Sequence, residues 1–255
     1  MWMAGYASRN KPADGVTLEL YAKALVLEDE QGERLAIVTL DLVGIPRSLR
    51  EQVAAGAEKA HGIKPAFLLI NASHTHSGPE VRSERTEPTD DQPRRTAEAV
   101  AYTRQLGDKL IGLIGDCLPR LQPTRVRYGF ARCGFAMNRR TPTAKGYANR
   151  PFPPGPVDHA VPVLQVVGAD NRDVALVFGY ACHNTTLGLQ QFNGDYAGYA
   201  QQALEAAHPS AVALFVTGCG GDQNPYPRGT IELAQTHGRT LATAVEAALL
   251  AELQN

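Results

Sequence analysis

An apolar segment that ends in two closely spaced histidines is the feature that most constrains this chain. Residues 66–70 are apolar, and they lead into a turn of Ser, Gly and Pro that carries His74 and His76. Such a segment is typical of a buried strand, and α/β sheets bind ligands beyond the carboxyl ends of their strands. Side chains alternate along extended backbone, so both imidazoles are expected on one side. Because imidazole binds metals and moves protons, the pair indicates either role; two hydrogen-bonded turn residues are the alternative.

The composition favours one α/β unit without a strong electrostatic preference. The chain has 255 residues, of which 44% are hydrophobic, and 25 Lys and Arg residues against 26 Asp and Glu residues leave a formal net charge of -1. We therefore expect a single domain over residues 1–255. The balanced charge argues against nucleic acid as a partner, and the basic residues Arg139, Arg140 and Lys145 fit a solvated face. No segment approaches the roughly 20 apolar residues of a membrane-spanning helix.

The cysteines and the N-terminus do not identify a compartment. Four cysteines are present without C-x-x-C spacing, and we expect each to be a small buried thiol: Cys117, Cys133, Cys182 and Cys219. The first residues have neither the charged nor the apolar region of a secretory signal, and a signal that had been cleaved off would leave no trace here. Localisation is therefore not predicted.

The hydrophobic pattern predicts a mixed α/β fold. Strands are predicted at residues 17–28, 35–42, 66–70, 124–132, 161–167, 174–180 and 211–216. Helices are predicted at residues 46–60, 96–118, 194–207 and 230–253. Polar residues 80–95 indicate an exposed loop, with a lid as the alternative, and residues 133–158 a second irregular region. We expect a mixed sheet flanked by helices, with strand-end loops that form a metal site.

Three further segments place polar groups near strand ends. Asp41 ends the second predicted strand, where a carboxylate needs a partner, either the histidines or the following turn. His183 follows the strand predicted at residues 174–180. The glycine-dense residues 218–225 lack both the P-loop ending and the hydrolase serine. A tight corner there would let Asp222 and Asn224 face the site, while a plain turn is the alternative.

Four ordered motifs resemble the neutral/alkaline non-lysosomal ceramidase family. Residues 74–79 resemble the family's T-H-T-H-S-G-P motif, and Asn138 and Arg139 resemble the start of its N-R-S segment. His183 followed by residues 194–200 resembles the family's histidine strand and its G-D-x-x-G-Y-A helix start. Residues 221–225 resemble its G-D-V-S-P motif, so the resemblance extends over nearly the whole chain.

The resemblance implies a zinc-dependent hydrolase that cleaves a C–N amide bond, in ceramide or in a smaller N-acyl substrate. It makes His74 and His183 metal ligands, His76 a proton shuttle, and Arg139 the group that holds the substrate carbonyl or the oxyanion. Zinc suits this chemistry because it polarises a carbonyl and acidifies bound water. Three carboxylates are candidate acceptors for imidazole N–H groups: Asp41, Asp195 and Asp222.

Two differences from the family affect these assignments. Asn224 occupies the position of the serine in G-D-V-S-P, and an amide can donate a hydrogen bond to an oxyanion but cannot act as a nucleophile. The family also completes its zinc shell with a downstream glutamate and tyrosine. We therefore expect either a truncated gene product or a short form whose third ligand is local, from Asp41, Asp195 or Asp222. A non-catalytic domain with a weak metal site is the rival hypothesis, and ester or phosphoester hydrolysis is a third.

Overall fold

A computed structural model describes residues 1–83, 93–251 and 253–254. The strands in chain order are β1 (Ala22–Glu28), β2 (Arg34–Leu40), β3 (Leu68–Ala72), β4 (Thr124–Arg132), β5 (Ala136–Asn138), β6 (Arg140–Thr143), β7 (Gly146–Asn149), β8 (Ala160–Gly168), β9 (Asp173–Tyr180), β10 (Val212–Thr217) and β11 (Gln223–Pro225). The helices are α1 (Arg47–His61), α2 (Pro93–Gly115), α3 (Asp195–Ala207) and α4 (Ile231–Leu250). None of these described helices is long and apolar enough to cross a bilayer.

The strands form two mixed sheets and two small ribbons. The first sheet has the order β1-β2-β3, with β1 and β2 antiparallel and β2 and β3 parallel. The second has the order β10-β9-β8-β4, in which β10 and β9 are parallel and the other pairs antiparallel. The ribbons pair β5 with β11 and β6 with β7. Mixed sheets with accompanying helices confirm the predicted fold class.

The period-two alternation of the strands separates the core into layers. On β2, Ala36 and Val38 are buried in one cluster with residues of α1 and α2. Ile37, which lies between them, packs instead in a cluster with Leu214 of the second sheet. Phe215, on the opposite face of β10, is buried with residues of α3 and α4. The two sheets therefore lie face to face between two helix pairs, because successive side chains of a strand point to opposite faces.

Most predicted elements are present, with shifted ends. The strand predicted at residues 124–132 coincides with β4, whereas a 3-10 turn at Pro65–Phe67 delays the start of β3 to Leu68. Helix α2 begins at Pro93, before the predicted residue 96, and residues 84–92 of the predicted loop lie outside the described residues. Residues 133–158 were predicted to be irregular but contain three short strands.

The four cysteines are free thiols in different surroundings. Cys133 and Cys182 are buried as expected, and Cys117 is half-buried. Cys219 is exposed, so the prediction of a buried thiol is wrong at this position. It follows β10 in the glycine-dense turn, where Gly218 and Gly221 are exposed as well.

Candidate metal centre

Three imidazoles converge where loops leave the ends of β3 and β9. The Nε2 atom of His74 lies 3.2 Å from Nε2 of His183 and 3.3 Å from Nε2 of His76. Possible ligand atoms of all three residues lie within 4.8 Å of one another. Two nitrogens that bind one tetrahedral zinc ion at about 2.0–2.1 Å lie roughly 3.3 Å apart. The separations around His74 therefore fit a shared metal ion.

The backbone at His74 differs from the extended path that the sequence predicted. Strand β3 ends at Ala72, and His74 has a φ of 60°, in the left-handed region. A non-glycine residue there costs roughly 1–2 kcal/mol. Hydrogen bonds on both sides hold the turn, from the Ser73 N–H to the Leu40 carbonyl at 2.8 Å and from the His76 N–H to the Asn184 carbonyl at 3.4 Å. The imidazoles thus converge through a turn that tertiary contacts stabilise.

Backbone carbonyl groups determine which nitrogen of two histidines carries the proton. Nδ1 of His74 lies 2.5 Å from the Val43 carbonyl oxygen, and Nδ1 of His183 lies 2.7 Å from that of Gly220. A carbonyl oxygen only accepts hydrogen bonds, so each Nδ1 must donate its proton and each Nε2 presents a lone pair. Two unprotonated nitrogens 3.2 Å apart repel each other unless a cation lies between them. This donor pair fits a metal ion.

Burial keeps two of the imidazoles neutral at physiological pH. Desolvation, together with the nearby His74 and His183, lowers the pKa of His76 to about 4. Desolvation also lowers the pKa of His183 to about 4, with a contribution from the positive charge of Arg139. Neutral imidazole is the form that binds metal. Protons therefore compete weakly for these two nitrogens near pH 7.

The structure places Arg139 and Asn224 beside the histidine cluster. Nη2 of Arg139 lies 3.1 Å from Nε2 of His183, and Nη1 donates to Oδ1 of Asn224 at 3.3 Å. The pairing of β5 with β11 brings them together, since Arg139 directly follows β5 and Asn224 lies on β11. The guanidinium also donates from Nε and Nη2 to the Gly221 carbonyl, at 3.1 and 2.9 Å. Asn224 therefore holds Arg139 through its amide oxygen.

The three candidate carboxylates bind other groups than the imidazoles. Oδ2 of Asp41 accepts from the Tyr21 N–H at 3.0 Å, and Asp222 lies 3.4 Å from the side-chain amide of Asn138. Asp195 accepts from three backbone N–H groups, those of Thr186, Leu187 and Tyr196. Burial raises the pKa of Asp41 and of Asp195, and these hydrogen bonds oppose the shift. In the part of the chain that the structure describes, carbonyl oxygens rather than these carboxylates orient the imidazoles of His74 and His183.

The N-terminal segment contributes contacts that the sequence did not indicate. Gly5 has a φ of 99°, and a Cβ atom placed on it would lie 2.5 Å from Cβ of His76. The Tyr6 ring meets the His76 ring edge-on with centroids 5.0 Å apart, and Nη2 of Arg9 donates to the His76 carbonyl at 2.8 Å. A single glycine in a sequence does not predict the contact that Gly5 makes with His76. The contact of Val43 with His74 was not predictable either, because it uses a backbone carbonyl, which every residue carries.

A groove of about 590 Å³ begins next to the cluster. Gly5 and Tyr6, which contact His76, form part of its wall, and Glu80, Arg82 and Arg95 form another part. The Glu80 carboxylate accepts from both guanidinium groups, so this wall is polar and internally paired. The three histidines do not line this groove, which reaches the cluster through Gly5 and Tyr6.

Comparisons with known proteins agree with the motifs. The neutral ceramidase of Pseudomonas aeruginosa is 25% identical over 241 residues, which is 88% of this chain and 34% of that protein. Neutral ceramidase A of Dictyostelium discoideum is 24% identical over 253 residues, with 89% and 34% covered. The chain thus spans about a third of the length of these curated relatives.

The fold is also that of solved ceramidase structures. A structure described as a ceramidase complexed with C2 has a TM-score of 0.79 at 23% identity, covering 97% of this chain and 41% of that one. The crystal structure of neutral ceramidase from Pseudomonas aeruginosa has a TM-score of 0.78 at 23% identity, with 97% and 42% covered. The family model described as neutral/alkaline non-lysosomal ceramidase, N-terminal, matches residues 1–235. The chain belongs to the neutral/alkaline non-lysosomal ceramidase family.

Proposed function

We propose that this chain carries the zinc site of a hydrolase that cleaves the C–N amide bond of ceramide or of a smaller N-acyl substrate. The observation that carries the proposal is the 3.2 Å approach of the Nε2 atoms of His74 and His183, both unprotonated because each Nδ1 donates to a backbone carbonyl. The names of these two relatives, both neutral ceramidases, support an amide as the scissile bond.

His74 and His183 are the residues that would hold zinc. Their Nδ1 atoms donate to backbone carbonyls, the arrangement in which a histidine ligand is usually held. When bound, zinc polarises a substrate carbonyl and lowers the pKa of a water ligand to about 7. The two carbonyls keep the imidazole rings at a fixed angle, so the site needs little rearrangement to bind the ion.

His76 is assigned a different role, that of proton carrier. Its Nδ1 is buried and lacks a well-formed hydrogen bond among the described residues, although the Gly5 backbone lies beside the ring. The Gly5 backbone is the weak partner of this ring and raises its pKa slightly, whereas strong hydrogen bonds to carbonyls hold Nδ1 of His74 and His183. Its Nε2 lies 3.3 Å from Nε2 of His74, within reach of groups that react at the metal.

Arg139 is positioned to stabilise negative charge on the substrate oxygen. Its Nη2 lies 3.1 Å from Nε2 of His183, the nitrogen that would bind the metal ion. The guanidinium remains charged near neutral pH and carries several donors, so one N–H group can serve an oxyanion while others hold Gly221 and Asn224. Asn224 acts through Arg139 and is a positioning residue.

Three single variants separate binding from turnover. We expect His74→Ala to lose stoichiometric zinc, measured by elemental analysis of the purified protein, because the central ligand is gone. We expect His76→Ala to keep zinc and to lose about 10²–10⁴-fold in kcat/KM toward an N-acyl substrate, as for the loss of an acid–base group. His61→Ala removes an imidazole that contacts the Ile111 carbonyl on α2, and it should retain both properties.

The rival hypothesis makes opposite predictions. A chain that binds no stoichiometric zinc and stays inert toward N-acyl substrates with zinc added is a non-catalytic member of the family. Loss of zinc in His76→Ala would instead make His76 a ligand and refute its role as proton carrier. A substrate panel that includes esters and phosphoesters tests the choice of the amide bond.

A further inference from the structure

The hairpin of β6 and β7 lies beside the metal centre as a separate ribbon. Its two strands pair only with each other, from Arg140 opposite Asn149 to Thr143 opposite Gly146. The hairpin begins directly after Arg139, and the N–H of Arg150 at its far end donates to the Arg139 carbonyl at 3.1 Å. Both ends of the hairpin are thus anchored at the residue that contacts His183.

The hairpin carries positive charge without compensating acids. Residues 139–150 contain four basic side chains and no Asp or Glu: Arg139, Arg140, Lys145 and Arg150. Among the described residues, none of the four forms an ion pair, and Arg139 and Arg140 donate to the Gly221 carbonyl instead. Asp222 is the carboxylate that acts electrostatically on Arg139. Since the whole chain has a net charge of -1, this positive charge is local.

An exposed aromatic ring accompanies these charges. Tyr147 is 74% exposed, although a tyrosine normally covers much of its ring, and Pro142 lies opposite it in the register. Arg140, Lys145 and Arg150 are exposed as well. Tyrosine is enriched at membrane–water interfaces, where its ring lies at the level of the headgroups and its hydroxyl stays hydrated. Basic residues around such a ring are attracted by anionic headgroups.

We propose that the β6–β7 hairpin docks on a membrane surface that contains anionic phospholipids. Lys145 and Arg150 contact the headgroups and Tyr147 enters the interface, which brings the Arg139 end of the hairpin, and with it the metal centre, close to the bilayer. An extended polyanion is a poorer partner, because the positive charge is confined to one short hairpin on a chain that is otherwise acidic. The hairpin can bind a membrane without catalysis. A role of this binding in hydrolysis rests on the proposed function, with a lipid amide as substrate.

Vesicle binding tests the surface directly. The full chain is sedimented with vesicles of phosphatidylcholine and phosphatidylglycerol (about 3:1) and with vesicles of phosphatidylcholine alone, at low and at high salt. We expect binding only to the anionic vesicles and its loss at high salt, because the attraction is screened. The double variant Lys145→Ala/Arg150→Ala should bind about 30-fold more weakly, since each basic residue near such a surface contributes about 1 kcal/mol, or about fivefold.

A matched control removes the same charge elsewhere. Lys109→Ala/Arg172→Ala also deletes two exposed basic side chains, on α2 and in the β8–β9 turn, and should bind vesicles like the parent chain. Tyr147→Ala should weaken vesicle binding without changing net charge. None of the hairpin variants should alter zinc content or hydrolysis of a short-chain N-acyl substrate in solution, whose access does not depend on a surface.

The outcomes distinguish this proposal from the proposed function. A parent chain that fails to bind anionic vesicles, or a hairpin double variant that binds them like the parent, overturns the docking surface. Equally strong binding to single-stranded nucleic acid at the same salt would identify a polyanion site and overturn it too. A chain that binds vesicles through the hairpin but hydrolyses no N-acyl substrate refutes the hydrolase and leaves the surface intact.

Discussion

Gly220 is the position where a single methyl group should weaken metal binding without changing any histidine of the candidate metal centre. A Cβ atom on Gly220 would lie 2.6 Å from the backbone nitrogen of Cys182 and 2.8 Å from its Cα, where ordinary contacts begin at 3.4 Å. Cys182 is fully buried in the core, so Gly220 must move by roughly 0.8 Å. Its carbonyl accepts from Nδ1 of His183 at 2.7 Å, and a shift of that size along the bond would lengthen it to about 3.5 Å, beyond a hydrogen bond.

The expected loss follows from what that hydrogen bond does. A partner that orients a histidine ligand typically contributes about 10–100-fold in metal affinity, which corresponds to about 1.4–2.7 kcal/mol. We expect Gly220→Ala to bind zinc that much more weakly, measured by competition with a chelating dye. Overpacking should also lower the free energy of unfolding by about 1–3 kcal/mol, measured by urea titration of the metal-free protein.

The neighbouring glycine is the control. A Cβ atom on Gly221 meets nothing within 4 Å, and its φ is not left-handed, so Gly221→Ala should bind zinc and unfold like the parent. Equal zinc affinity in Gly220→Ala and Gly221→Ala would refute the argument that the Gly220 carbonyl orients His183. Equal losses in both variants would show that any side chain in this turn is harmful, and the specific contact with Cys182 would not be the cause.

Two further predictions concern stability. Because the pKa values of His76 and His183 in the folded protein are about 4, below the usual 6.5, the unfolded chain binds protons first as pH falls. The urea midpoint of the metal-free protein should be constant above about pH 6.5 and fall between about pH 6.5 and 4. In the double variant His76→Gln/His183→Gln, the urea midpoint should decline less between pH 7 and 5. Asp195→Asn replaces the acceptor of the buried Leu187 N–H with a donor, and it should cost about 2 kcal/mol, or roughly 4–8 °C in Tm. The exposed Asp170→Asn should melt like the parent, and an unchanged Tm in Asp195→Asn would contradict the assigned role of the carboxylate.

The segments of this fold were largely predictable from local patterns. Strand β4 was predicted with its observed ends because apolar and polar residues alternate along it, and helix α1 because its apolar residues recur at helical spacing. The division into two stacked sheets was not predictable, since it depends on which distant strands pair. Alternation reports that a face is buried, but it does not identify the surface that covers it.

The sequence by itself determined which side chains form the candidate metal centre: two histidines after one strand, a third after another, and an arginine from a separate motif. Tertiary structure decided how they are held. His74 and His183 donate to the carbonyls of Val43 and Gly220, whereas Asp195 binds backbone amides of its own loop. Every residue carries the same carbonyl and amide groups whatever its side chain, so their partners depend only on where the chain passes in space.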